Sequence, residues 1–339
     1  MEPPIAACSV RGLALLGETV VLSRYVHAGG GLAPDLFACV LCQSGTLAGP
    51  YGHADILGRA SGCRVPSREG GGGAAGGAGP LPDAYALRLT PELWTRSLPH
   101  RTQILFTVDI AMVVARLALR PGSVVCESGT GSGSLTHALA RAVAPGGLVH
   151  SFEFTAARAA QAQAEVLAHG LGAVVRVAHR DAVARGFLAE GGGAAAAAGV
   201  QPRGASAAFL DLPNPWDCIG HARACLAPGG ILCSFSPCIE QVQRTCAAMA
   251  SQGFEDVRTF ETLLRDWDFE GAPAGSGSGS SSGSSGGGSG SKWGGGKAQG
   301  PGAAPPFLPW PPLSGSATLQ PKSQARGHTG YLTFAHLYV

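Results

Sequence analysis

The chain has 339 residues with 24 basic and 22 acidic side chains, a formal net charge of +2 at pH 7. Apolar residues make up 45%, enough for a packed core, which excludes a wholly disordered chain. Glycine, at 52 residues, is about twice as frequent as usual but follows no G-X-Y period, and no long Lys/Arg run occurs, so collagen and a polybasic nucleic-acid tail are excluded as well.

The length predicts about two domains. Met1 to Pro4 lead into a polar start without the apolar core of a signal peptide, and no apolar stretch approaches ~20 residues. An intracellular protein without a membrane span is expected. Residues 1–89 predict a small N-terminal all-β domain, from runs such as Thr19 to Leu22 and Leu36 to Leu41 broken by Gly and Pro. Cys39 and Cys42 form a lone C-x-x-C without a second pair at zinc spacing, so no metal is expected. Cys126, Cys218, Cys225, Cys233, Cys238 and Cys246 sit singly in apolar segments, as buried free thiols do.

Three glycine-rich tracts interrupt the pattern: a Gly/Ala loop at 70–79, another at 191–199, and a Gly/Ser/Pro-rich insertion at 271–326. They bury too little to offset their backbone entropy and are expected to be flexible. Between them, residues 90–270 alternate apolar strands with amphipathic helices, predicting a parallel α/β sheet. Ala144-Pro-Gly-Gly-Leu148 and Ala227-Pro-Gly-Gly-Ile231 each predict a helix stop and a turn into the next strand. The aromatic piece 327–339 is expected to return to the sheet as an edge strand.

The most informative segment is Ser123 to Leu139. A short strand ends in Glu127, a turn carries Gly129, Gly131 and Gly133, and an apolar helix follows. A second strand ends in Glu153, twenty residues beyond Gly133, where an acid can accept hydrogen bonds from both hydroxyls of a ribose. A dinucleotide fingerprint is G-x-G-x-x-G with a pyrophosphate at the helix start. Here the spacing is G-x-G-x-G and an acid precedes it at the mouth, which suits the cationic sulfonium and amino group of S-adenosyl-L-methionine. This is also the pattern of class I methyltransferases, in which the acid at a third strand end, Asp181, meets the adenine amino group. A nicotinamide enzyme and a ligand-free turn remain the alternatives.

The fourth strand runs into Asp211-Leu-Pro-Asn-Pro-Trp216. Asp211 stands at the carboxyl end of a buried strand, where open α/β sheets build their sites; the bland alternative is a cap for the next helix. Two prolines hold the loop open and Trp216 offers an aromatic face. Such a carboxylate could accept from an adenine amino group, aim the N1 lone pair at a methyl donor and stabilise the developing ring charge.

PELWTRSLPHRTQILFTVDIAMV, LRPGSVVCESGTGSGSLTHAL, FLDLPNPW, the stretch Leu232 to Cys246 and the terminal GHTGYLTFA together resemble the catalytic subunits of eukaryotic tRNA (adenine-58-N1)-methyltransferases. The likeness covers nearly all ordered sequence from about residue 90. Before that, only Gly52-His53 and Asp55 to Gly58 fit. Leu212 and Asn214 depart from the family's Ile and Ser without touching the charge. The resemblance implies a Rossmann-like, mostly parallel seven-stranded sheet and a nuclear enzyme. It implies that Gln103, Leu105, Glu127, Gly129, Gly131, Ser132, Gly133, Ser134, Glu153, Arg158, Asp181, Ala182 and Asp211 hold S-adenosyl-L-methionine, with Asp211 catalytic. Arg158 has an alternative as a solvated helix arginine. Gln103, Thr107, Leu212, Pro213, Trp216, Ser234, Ser236, Pro237, Gln241 and Thr329 would face the tRNA. Lys292, Lys297 and Lys322, all in the third tract, are the only lysines. Gripping tRNA normally needs many cationic phosphate contacts. A partner subunit that supplies much of the RNA grip is therefore expected, and the resemblance implies that it is a non-catalytic paralogue in a two-plus-two heterotetramer. A small-molecule methyltransferase, which has no need of Asp211 to Trp216, and a dead RNA-binding subunit, which would be expected to lose Glu153 or Asp211, are the rival readings.

Overall fold

The computed structural model describes residues 19–28, 31–40, 51–67, 83–99, 101–190, 199–265, 267–270, 318–321 and 329–338. Nearly all of the three glycine-rich tracts, with the three lysines and Cys42, lies outside the described residues. The chain forms two compact units, one of residues 1–263 with 328–339 and one of residues 264–327. In the second, β11 (Trp267–Glu270) pairs antiparallel with β12 (Thr318–Pro321).

The first unit begins with an antiparallel four-stranded sheet in the order β2-β1-β4-β3. β1 (Thr19–Ala28) and β2 (Gly31–Val40) pair along ten residues, longer than the short runs visible in the sequence. Pro34 lies in β2, opposite Tyr25, and β2 is an edge strand, the position in a sheet where proline is tolerated. β3 (Cys63–Val65) and β4 (Ala84–Arg88) complete the sheet. Its core is Leu22, Val65, Ala84 and Ala86 with Tyr51 and Ile56 from the intervening segment.

Thr90, whose Oγ1 accepts from the Leu93 amide, and Pro91 then start α1 (Pro91–Ser97). α2 (Thr107–Arg116) follows. Next come β5 (Val124–Ser128), α3 (Ser134–Val143), β6 (Leu148–Glu153), α4 (Ala156–Ala168), β7 (Val175–His179) and the single turn α5 (Ala182–Arg185). β8 (Ala205–Leu210), α6 (Ile219–Cys225), β9 (Leu226–Ser236), α7 (Ile239–Ser251), β10 (Glu255–Phe260) and β13 (Tyr331–Leu337) complete the domain. The seven-stranded order is β10-β13-β9-β8-β5-β6-β7. β7, β6, β5, β8 and β9 pair in parallel, and β13 runs antiparallel to both its neighbours.

Side chains alternate between two cores. Val125, Ala207, Phe209 and Cys233 face α2 and α3, whereas Cys126, Ala208, Leu210 and Leu232 face α6 and α7. Burial on both faces explains why these strands are continuously apolar.

Three expectations change. β13 is not an edge strand. It lies between β9 and β10 and buries Leu332 and Phe334 on one face and Ala335 and Leu337 on the other. The edge belongs to β10, whose Glu255, Asp256 and Arg258 suit a solvated margin. Ala227-Pro-Gly-Gly does not precede the last parallel strand but lies within β9. There the register against β8 jumps from Leu226 opposite Ala205 to Ile231 opposite Ala207. Cys126, Cys218, Cys225 and Cys233 are buried free thiols, but Cys238 is exposed and Cys246 half-buried.

Candidate active site

The carboxyl ends of β5, β6, β7 and β8 each deliver an acid or its immediate neighbour to one cavity of about 590 Å³, a volume usual for a small-molecule site. Gly129 starts the turn after β5 at φ 96°. A Cβ there would overlap the carbonyl oxygen of Asp211, so the residue must be glycine for β8 to deliver its acid against the turn. The amides of Gly129 and Gly131 donate to Phe152 O and Glu153 Oε2, each at 3.0 Å, and Gly133 N donates to Thr130 O at 2.8 Å. The turn is thereby fixed to β6.

Glu127 is 1% exposed, on the floor of the cavity and not at its mouth. Its Oε2 accepts from Thr136 Oγ1 at 2.7 Å and Ser151 Oγ at 2.6 Å. Burial pushes its pKa up to about 7, against the two hydroxyls that favour the anion; Asp211 and Glu153 push the same way as burial. Burial alone raises Asp211 to about 6. Glu153 Oε1 accepts from Thr155 N at 3.0 Å and from Arg158 Nε and Nη2 at 3.0 and 2.6 Å. Arg158 is therefore ion-paired to the acid and is not a freely solvated helix arginine. Asp181 caps α5, its Oδ1 accepting from Val183 N at 3.0 Å and Ala184 N at 3.1 Å.

The cavity is lined by Gln103, Leu105, Glu127, Gly129, Gly131, Ser132, Ser134, Glu153, Arg158, Asp181, Ala182 and Asp211. Gly133 lies behind the lining as the N-cap of α3. The Ser132 hydroxyl is turned toward the backbone before α2. It accepts from Arg101 N at 3.2 Å and Thr102 N at 3.3 Å, holding the segment that carries Gln103 and Leu105. Of the residues expected to face the nucleic acid, Gln103, Leu212 and Pro213 line the cavity. Thr107 lines a separate groove of about 290 Å³ beside Ile110 and Arg141. Trp216 is covered by the Arg244 guanidinium, 5.1 Å from its ring centre.

Ser234 and Ser236 are 0% and 1% exposed, and their hydroxyls are enclosed without a hydrogen-bond partner. They reach neither the cavity nor the surface, because period-two alternation on β9 gives the cavity to the intervening Phe235. Pro237 is exposed at the strand end. Gln241 instead braces the loop after β8, its Nε2 donating to Pro213 O at 3.0 Å. Thr329 Oγ1 donates to the buried Asp109 at 3.4 Å.

Sequence reasoning missed Phe152, Phe154 and Arg180 as cavity walls. The one sequence signal for Phe154 is that it directly follows Glu153; the structure leaves this large apolar side chain 68% exposed. The donor set fits S-adenosyl-L-methionine. Four carboxylates among the lining residues, Glu127, Glu153, Asp181 and Asp211, outnumber the guanidiniums of Arg158 and Arg180, and the glycine cradle admits close approach to the backbone. Glu127 suits a cationic amino group or sulfonium, Glu153 a ribose, and Asp181 with Ala182 an adenine edge among apolar walls. No group of three or more His, Cys, Asp or Glu among the described residues is placed to hold a metal ion.

The family model described as tRNA methyltransferase complex GCD14 subunit matches residues 83–285. A Dictyostelium discoideum protein named tRNA (adenine(58)-N(1))-methyltransferase catalytic subunit is 40% identical over 294 residues, 85% of this chain and 86% of its own. A Cryptococcus neoformans protein of the same name is 42% identical over 220 residues, 64% of this chain and 46% of its own. Two solved structures share the fold. A SAM-dependent O-methyltransferase from Thermotoga maritima has a TM-score of 0.65 at 21% identity, covering 97% of this chain and 96% of its own. The tRNA (m1A58) methyltransferase TrmI from Aquifex aeolicus has 0.60 at 19%, covering 96% and 98%. With the Rossmann-like sheet and the glycine turn in place, the chain belongs to the GCD14 family of tRNA methyltransferase complex subunits.

Proposed function

We propose that the chain is the catalytic subunit of an S-adenosyl-L-methionine-dependent tRNA methyltransferase acting on N1 of adenine-58. The observation that carries this is Asp211: a half-buried carboxylate at the end of β8, its backbone packed on the glycine turn and lining the same cavity as Glu127 and Glu153. When bound, the cofactor supplies an electrophilic methyl group on a sulfonium. Glu127 would face the positive charge, Glu153, paired with Arg158, would hold the ribose, and Asp181 with Ala182 would meet the adenine. The glycine turn lets these contacts form close to the backbone.

N1 of the target adenine already has a lone pair, so no strong base is required. The Asp211 carboxylate accepts from the exocyclic amino group, aims N1 and stabilises positive charge on the ring. Because N1 lies on the Watson–Crick edge, the base must leave its stack, at a cost of a few kcal/mol. Leu212 and Pro213, held by Gln241, form the rigid rim it would enter. The near-balanced charge supports a more basic partner that supplies much of the tRNA grip; by the family resemblance we propose a non-catalytic paralogue in a heterotetramer of two plus two, working in the nucleus.

The test is Asp211→Asn. Methyl transfer to unmodified tRNA should fall by at least 100-fold, with S-adenosylmethionine affinity within about threefold of wild type. Retained transfer would remove Asp211 from the chemistry.

A further inference from the structure

Behind the glycine turn lies a buried line of polar contacts that the reaction outlined above does not use. His137, on the first turn of α3 and 4% exposed, places Nδ1 2.6 Å from the carbonyl oxygen of Gly133. Its Nε2 lies 2.7 Å from Nδ1 of His169, the residue that ends α4. A carbonyl only accepts, so His137 carries its proton on Nδ1 and donates it. Its Nε2 is then the acceptor for the Nδ1–H of His169. Burial, and for His137 also the neighbouring His169, pulls both rings down to about 4, so both are neutral at pH 7. Trp94 from α1 closes the cluster, its ring centre 5.2 Å from that of His137 and 4.6 Å from that of His169.

Packing alone does not call for a histidine here. Besides Ser134 and Thr136, the buried positions on α3 are the apolar Leu135, Ala138, Leu139, Ala140 and Val143, and a leucine at 137 would fill the space without burying two ring nitrogens. Gly133 O already accepts the His137 backbone amide at 3.2 Å as the first helical bond, and the imidazole adds a second, shorter bond that pins the direction of the same carbonyl. In a trans peptide the carbonyl and the following N–H point opposite ways, so holding Gly133 O against His137 also orients the amide of Ser134. That amide is one of the helix-start donors with no intrahelical partner, and Ser134 lines the cavity.

We propose that His137, backed by His169, is a positioning residue for the cofactor turn. Its hydrogen bond to Gly133 O aims the Ser134 amide at the carboxylate of the cofactor's amino-acid end. The proposal rests on the cavity being the S-adenosylmethionine site. It predicts a ligand-selective effect: 5′-methylthioadenosine, which has the adenosine but no carboxylate, should not sense His137.

Calorimetry on the full chain with both compounds tests this. His137→Leu should weaken S-adenosylmethionine about tenfold and leave methylthioadenosine within twofold. His137→Asn, which keeps an N–H donor near the Nδ1 position, should restore S-adenosylmethionine to within about threefold of wild type. Histidine-selective nitrogen NMR should find both rings as neutral Nδ1–H tautomers. Equal weakening of both compounds, no weakening of either, no rescue by asparagine, or an Nε2–H tautomer at His137 overturns the proposal. Should His137→Leu not fold, His169→Ala takes its place, with about threefold weakening of S-adenosylmethionine alone expected and uniform or absent weakening overturning it. Wild-type protein that binds neither compound overturns the cofactor reading and this inference with it, whereas the other failures leave that reading standing.

Discussion

Glu127 and Asp211 hold raised pKa values for one physical reason, burial at the ends of adjacent parallel strands. The sign of the consequence follows from linkage. Each carboxyl binds its proton more tightly in the folded chain than unfolded, so stability without cofactor is greatest below about pH 4 with respect to these groups. It is lost as pH rises through about 6 and 7, by roughly 3 kcal/mol at most for Glu127. Thermal unfolding of Glu127→Gln should accordingly show a shallower decline between pH 5 and 8 than wild type. Cofactor binding has the opposite slope. A cationic ligand favours the Glu127 carboxylate, so S-adenosylmethionine affinity should fall about tenfold from pH 8 to pH 6, and the Gln variant should flatten that dependence. A wild-type affinity that does not change with pH would place the cation elsewhere.

At the level of elements, the turn after β5 and the insertion of β13 carry the architecture. Gly129 is held at φ 96° against Asp211, so Gly129→Ala should cost about 2 kcal/mol of stability and at least tenfold in cofactor affinity, read by thermal unfolding and calorimetry. In β13, Phe334 is packed in the core between β9 and β10, and Phe334→Ala should cost about 3–5 kcal/mol in denaturant unfolding.

These elements also mark how far the sequence could be read. β5, β6, β7 and β8 were legible because short, mainly apolar runs end at or just before Glu127, Glu153, Asp181 and Asp211, with glycines after Glu127 and prolines after Asp211. β10 was not, because an edge strand is polar and has no apolar run to announce it. The place of β13 was illegible because a local pattern does not encode strand order. The phase of β9 was hidden for a related reason. A strand buried on both faces has no polar alternation to say which residues face the cavity, so Ser234 and Ser236 could not be told from Phe235. Likewise nothing in the spacing of Ser132, Arg158 or Gln241 shows that their polar groups brace neighbouring segments.

Over the whole molecule, 24 basic and 22 acidic residues leave little surplus charge for a polyanion. Under the proposed assembly, the isolated chain should bind tRNA weakly and with a shallow dependence of log K on log salt, whereas the complex with the partner subunit should show a steep one. The central claim, methylation of N1 at position 58, is tested most directly by methyl transfer from labelled S-adenosylmethionine. The substrates are unmodified tRNA and the same tRNA with guanosine at position 58, each in the presence of the partner subunit. Label is expected in the first alone, recovered as N1-methyladenosine. Equal labelling of both, or label recovered on another atom or position, would contradict it.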